Sequence, residues 1–170
     1  VAAEKVELGG EQRSLRAWER NLLYVAGVLY TLFHFFVLFT YPMEEWLFLA
    51  VHVGGAMAIG FALFAPTKTS TGHGIPWYDW LLLAGSLVTC GYIIVFLDDL
   101  LFRVGVLPTT LDVVISVVGI LLVLEITRRT SVVALPIIAL VFLLYVFIGP
   151  YLPGVLHHTG YSFENAMTFM

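Results

Sequence analysis

Long apolar runs, each closed by a short polar or helix-breaking stretch, recur five times along this chain, at about 21–41, 46–65, 79–97, 111–127 and 131–148. A helix that crosses a bilayer needs about 20 apolar residues. The pattern therefore predicts five membrane spans with short connections. Pro42, Glu44 and Glu45 mark the first turn, and Pro66 opens a polar, glycine-containing connection over 67–76. Trp77, Tyr78 and Trp80 form an aromatic cluster of the kind that sits at a membrane interface. Asp98 and Asp99 close span three, and a linker over 100–110 carries Arg103, Gly105 and Pro108. Thr109 or Thr110 can cap span four, with Asp112 in its first turn, where the helix dipole favours an anion. Arg128 and Arg129 end it. Ser131 is the expected cap of span five, with Pro136 early in the helix, where it does least damage. Only a few residues separate spans four and five, so one bent or interfacial helix is the alternative there.

Ahead of the first run, residues 1–10 are polar. Residues 11–20 place Leu15 and Trp18, with Leu22 beyond, on one helical face and Arg13, Arg16 and Arg20 on another. That pattern predicts a short amphipathic helix at the membrane surface. The simpler alternative is the solvated start of span one. The first apolar run follows basic residues, as in a signal peptide, but no small-residue cleavage site follows it, which points to an uncleaved span. The expected organisation is an N-terminal segment over 1–20, a bundle over 21–149, and a tail or linker over 150–170.

Composition turns this pattern into a fold class. Hydrophobic residues make up 60% of the chain and charged ones 12%, with mean hydropathy +0.95. Soluble domains carry about 25% charged residues. The chain has too little polar surface to face water, so it reads as an all-α, polytopic bundle whose solvent is the lipid bilayer. Net charge is −4 and no basic run suits a nucleic acid. The single cysteine, Cys90, can form neither an internal disulfide nor a thiolate metal site.

Charge also predicts an orientation. With five spans, Lys5, Arg13, Arg16, Arg20, Lys68, Arg128 and Arg129 fall on one side, and Arg103 alone on the other. The positive-inside rule makes the N-terminus cytoplasmic and the C-terminus external. The external side then holds Glu44, Glu45, Asp98, Asp99, Asp112 and Glu164. Such a face can receive a partner, or it is ordinary loop hydrophilicity.

Three constellations have chemical content. Ala50, Gly54, Ala58 and Ala62 recur every four residues in span two, a small-residue stripe that lets another helix approach closely. His34 and His52 fall at similar depth in adjacent antiparallel spans. Two such imidazoles suit a b-type haem, or they pair as hydrogen-bonding packing partners. Glu125 precedes Arg128 and Arg129 by three and four residues, the spacing of an ion pair on one helix face. No phosphate loop, metal-ligand spacing, nucleophile elbow or broken half-helix pair occurs. The residues alone thus predict a membrane scaffold, with no enzymatic site and no required cofactor. A haem- or quinone-binding anchor using His34 and His52 stands as the alternative.

From Pro108 the text reads PTTLDVVISVVGILLVLEITRRTSVVALPIIALVFLLYVFIGPYLPGVLHHTGYSFE. The LDVV start, the LEITRRT join at 124–130, the ALPIIAL segment at 134–140 and GPYLPG at 149–154 occur in an order that resembles fused permeases of tripartite ATP-independent periplasmic (TRAP) transporters, TAXI branch. The resemblance covers about 108–164; residues 11–107 match only in hydropathy and layout. It implies a small scaffold subunit, or that part of a fused permease, in a bacterial or archaeal inner membrane. It also implies a large transmembrane transport subunit and a periplasmic substrate-binding protein as partners, with organic-acid symport driven by a sodium or proton gradient. The usual small subunit has four helices, so a fifth suits a connector towards the transport part. Glu44, Glu45, Asp98 and Asp99 are the expected docking acids. The transport part itself does not follow Met170 here, so no substrate or ion residue carries over.

Overall fold

The structure is a computed structural model that describes residues 12–40, 42–67, 73–104 and 106–169. Among these residues the regular elements are all helical: α1 (Ala17–Phe39), α2 (Glu45–Leu63), α3 (Trp77–Val95), α4 (Leu97–Arg103), α5 (Thr110–Thr130), α6 (Ala134–Ile148) and α7 (Phe163–Phe169). Two short 3-10 turns, Gly149–Tyr151 and Gly154–Leu156, join α6 to α7. Five of these helices are long and apolar enough to cross a membrane, the last of them running from Ala134 through Tyr151. The shortest has 18 residues, about 27 Å of helix, close to the thickness of a hydrocarbon core. Spans four and five are thus separate helices, broken at Ser131.

Local chemistry sets the helix ends. Glu44 accepts a hydrogen bond from the Leu47 amide at 2.8 Å and caps α2. Thr109 and Asp112 cap α5 reciprocally: the Asp112 carboxylate accepts from the Thr109 amide at 2.8 Å, and Thr109 accepts from the Asp112 amide. Pro136 sits in the first turn of α6, where its missing N–H disrupts no bond.

The packing is centred on α2, whose three glycines each admit a different neighbour. A Cβ built at Gly54 would lie 2.5 Å from Cys90 Cβ on α3. One at Gly55 would lie 2.7 Å from the Tyr30 ring on α1, and one at Gly60 would lie 2.7 Å from Ile126 on α5. Ala50, Gly54, Ala58 and Ala62 are all buried. Below them Met57, Phe61 and Leu122 form the apolar core, flanked by Leu82, Leu83 and Ile126. Lipid provides no hydrophobic drive between helices, so small residues that maximise contact are what hold such a bundle.

Four sequence expectations need correction. Residues 12–16 are not helical; α1 begins at Ala17, and Arg13 is buried where a surface helix would expose it. Glu11 and the residues before it lie outside the described ones. The reason is tertiary: the Arg13 amide donates to the Leu63 carbonyl at 2.9 Å, and the Gly74 amide donates to Ser14 at 3.0 Å, so the segment straps across the α2–α3 connection. The linker expected over 100–110 is partly helical, because α4 carries Asp98 and Asp99 in its first turn and Arg103 in its last, each matched to the helix dipole. Ser131 caps the C-terminus of α5, and α6 begins three residues later behind Val133. The stretch from 150 does not run on as a loose tail. α7 packs on α5 and buries Ala166, Met167 and Thr168.

Candidate functional site

Two charged clusters mark the two ends of the bundle. The basic end gathers the start of α1, the ends of α2 and α5, and the start of α3. At its centre is Asp79, in the first turn of α3 and fully buried. One carboxylate oxygen accepts from Arg13 and the other from Arg129 Nη1 at 2.7 Å. Arg129 also donates Nε to Glu125 at 2.7 Å, and Glu125 accepts two further bonds from Arg128 at 2.8 Å. The guanidinium of Arg129 lies over the Phe61 ring at 5.2 Å. Nη1 groups of Arg128 and Arg129 reach the carbonyls of Pro66 and Phe64 beyond the end of α2, at 3.2 and 3.3 Å. Beside this, Glu19 is buried and accepts from the amides of Arg16 (2.9 Å) and Ile75 (3.1 Å).

The Glu125 to Arg129 pair is therefore one link in a longer chain. Both oxygens of Asp79 are occupied by guanidinium groups that cannot give up their protons under ordinary conditions. Such a group holds helices in place and does not pass a proton on. A buried ion pair of this kind is favourable only when its remaining donors and acceptors are satisfied. The pairings of Asp79 with Arg13 and Arg129, and of Glu19 with Ile75, escaped the sequence reading because the partners lie far apart along the chain. The available signal was that Asp79 and Arg129 are predicted at the same end of antiparallel spans.

At the acidic end, Asp112 is buried and accepts from Tyr92, from the Thr109 hydroxyl at 2.7 Å and from Arg103 Nη2 at 3.0 Å. Partial desolvation of Arg103 works against its charge. The hydrogen bond and charge of Asp112 outweigh that and raise its pKa above the ordinary arginine value. Glu44, Glu45, Asp98 and Asp99 are exposed at this same end.

His34 and His52 come together two turns below that end. His34 Nδ1 lies 2.7 Å from the Tyr30 carbonyl, which can only accept, so His34 carries its proton on Nδ1. Its bare Nε2 then accepts from His52 Nδ1 at 2.8 Å. Tyr30 donates its hydroxyl to the His52 carbonyl at 2.8 Å. A metal between two imidazoles in line holds their nitrogens about 4 Å apart, twice a metal–nitrogen bond of about 2.0–2.1 Å. At 2.8 Å the two rings are placed to bond to each other.

A third arrangement explains part of the distinctive C-terminal text. The His158 ring sits against Gly149 so closely that a Cβ there would lie 1.8 Å from Nε2. His158 Nδ1 accepts from the Gly160 amide at 3.0 Å, which leaves Nε2 to donate to the Tyr145 carbonyl at 3.2 Å. Gly154 and Gly160 have φ of +67° and +76°, conformations that favour glycine.

Among the described residues no group of three or more His, Cys, Asp or Glu side chains could hold a metal ion. No protein-family model, curated protein or solved structure matches the chain.

Proposed function

We propose that this chain is the small, scaffold-forming membrane part of a TRAP-type secondary transporter of the TAXI branch, either as a free subunit or as a segment of a fused permease. The observation that carries the reading is where the resembling text falls in the fold. The LEITRRT stretch supplies Glu125, Arg128 and Arg129, which tie α5 to α3 and to the end of α2. GPYLPG and the histidine after it supply the corner that turns the chain from α6 to α7. Two of the four motifs that carry the resemblance thus supply bracing contacts, as a scaffold requires.

In this reading the basic end is cytoplasmic and the acidic end external, by the positive-inside rule. The bundle braces a large transport subunit that holds the substrate and ion sites, and organic acids arrive on a periplasmic binding protein. The exposed acids at the external end, Glu44, Glu45, Asp98 and Asp99, help that protein dock. Reversing their charge together weakens ion-gradient-driven uptake while membrane assembly stays normal. Uptake equal to wild type in the reversed variant removes the docking role.

A further inference from the structure

The corner between α6 and α7 closes on itself around one imidazole. His158 follows the two 3-10 turns and lays its ring back against Gly149, at the end of α6. Two residues on, Gly160 lies against Pro150, where a Cβ would come within 2.5 Å of the proline ring. The ring of His158 then bonds to both sides of the closed loop. Nδ1 accepts from the Gly160 amide at 3.0 Å, and Nε2 donates to the Tyr145 carbonyl at 3.2 Å. An amide N–H can only donate, so Nδ1 has to be bare. The closed corner thus fits the neutral imidazole. A proton on Nδ1 points one N–H at another, and the close fit against Gly149 leaves the ring little room to turn away.

We propose that His158 is a proton-operated latch: neutral, it keeps the corner closed and α7 docked on α5, and a proton on Nδ1 opens the corner and releases α7. The helix it controls is lightly held. α7 has seven residues, too few to be stable by itself, and it rests on Ala166, Met167, Thr168 and the corner that feeds it. Local opening is confined to such weakly packed units. The closed corner binds one proton fewer than the open one, so closure weakens as pH falls. Nearby groups do not carry the effect. Tyr145 from α6 and Tyr161 from the connection touch the ring, and both stay neutral below pH 8. His157 and Glu164 are exposed, and neither bonds to the ring among the described residues. On α5, Asp112 is taken up by Tyr92, Thr109 and Arg103. In the orientation proposed above this end faces outside, so the controlling pH is external; the latch itself does not depend on the transporter reading.

The test is amide hydrogen exchange of the whole protein in mild detergent, read by mass spectrometry on peptides covering 157–169, with labelling times scaled for the chemical exchange rate at each pH. A free imidazole titrates near pH 6.5, so protection of this segment is expected to fall about tenfold from about pH 7.5 to about pH 5.5. Peptides from α5 keep theirs. His158→Gln cannot take the proton and removes the pH dependence, whether the corner stays closed or stands open in that variant. His157→Gln and Glu164→Gln leave the dependence as it is. Nitrogen-15 resonance of the wild-type ring gives a second reading: at about pH 7.5 the proton of His158 is on Nε2. Protection that does not change with pH, a pH dependence that survives His158→Gln, or one abolished by His157→Gln or Glu164→Gln overturns the proposal. So does a neutral ring that carries its proton on Nδ1.

Discussion

Arg129 Nη1 lies 2.7 Å from Asp79 Oδ1, with both side chains buried and the two residues 50 positions apart in the chain. Through Asp79 the end of α5 is bound to the start of α3, and through Arg13 the same carboxylate holds the strap ahead of α1. Replacing Asp79 leaves Arg13 in a buried site without its counter-charge and Arg129 with Glu125 alone. Breaking a buried pair by removing one partner costs about 3–5 kcal/mol. Asp79→Asn is therefore expected to lower the thermal unfolding midpoint in detergent by many degrees, while Asp98→Asn, at an exposed position, changes it little. Equal midpoints for the two variants would mean that the clasp contributes no stability.

The corner after α6 gives a second prediction. Gly149→Ala places a methyl where the His158 ring stands, so either the ring or the backbone has to move. Overpacking of this kind costs about 1–3 kcal/mol. His158→Ala vacates the site and loses the bonds to Tyr145 and Gly160 and the ring contacts with Tyr145 and Tyr161. The double variant is expected to be more stable than the sum of the two single losses, as a double-mutant cycle on unfolding midpoints will read directly. Additive losses would place the two residues out of contact.

The histidine pair separates the scaffold reading from a haem-binding anchor. With His34 and His52 bonded to each other, the purified protein is expected to show no Soret absorbance, and adding haem is expected to produce none that depends on His52. Tyr30→Phe removes the hydroxyl that donates to the His52 carbonyl and costs about 1 kcal/mol in stability. A Soret band abolished by His34→Ala or His52→Ala would favour the anchor.

Five spans and their approximate limits were legible because lipid imposes a length and a polarity that show in single runs of sequence. The small stripe on α2 and the proximity of His34 and His52 followed from helical period and antiparallel order. What stayed hidden depends on residues far apart in the chain. Arg13 reads as the polar face of a helix until Leu63 and Asp79 are seen to claim its amide and its guanidinium. Asp112 reads as a dipole-matching first-turn acid, yet it also gathers Tyr92 and Arg103. The packing of α7 on α5 rests on Ala166, Met167 and Thr168, too short a pattern to separate from a polar tail.

The central claim is that this chain braces a transport polypeptide. Its most direct test is purification of the tagged chain from native membranes in mild detergent, followed by mass-spectrometric identification of everything stoichiometric with the tag. The account predicts a large multi-span transport polypeptide, either continuous with this chain or bound to it one to one. Recovery of this chain by itself, without continuation or multi-span companion, would contradict it.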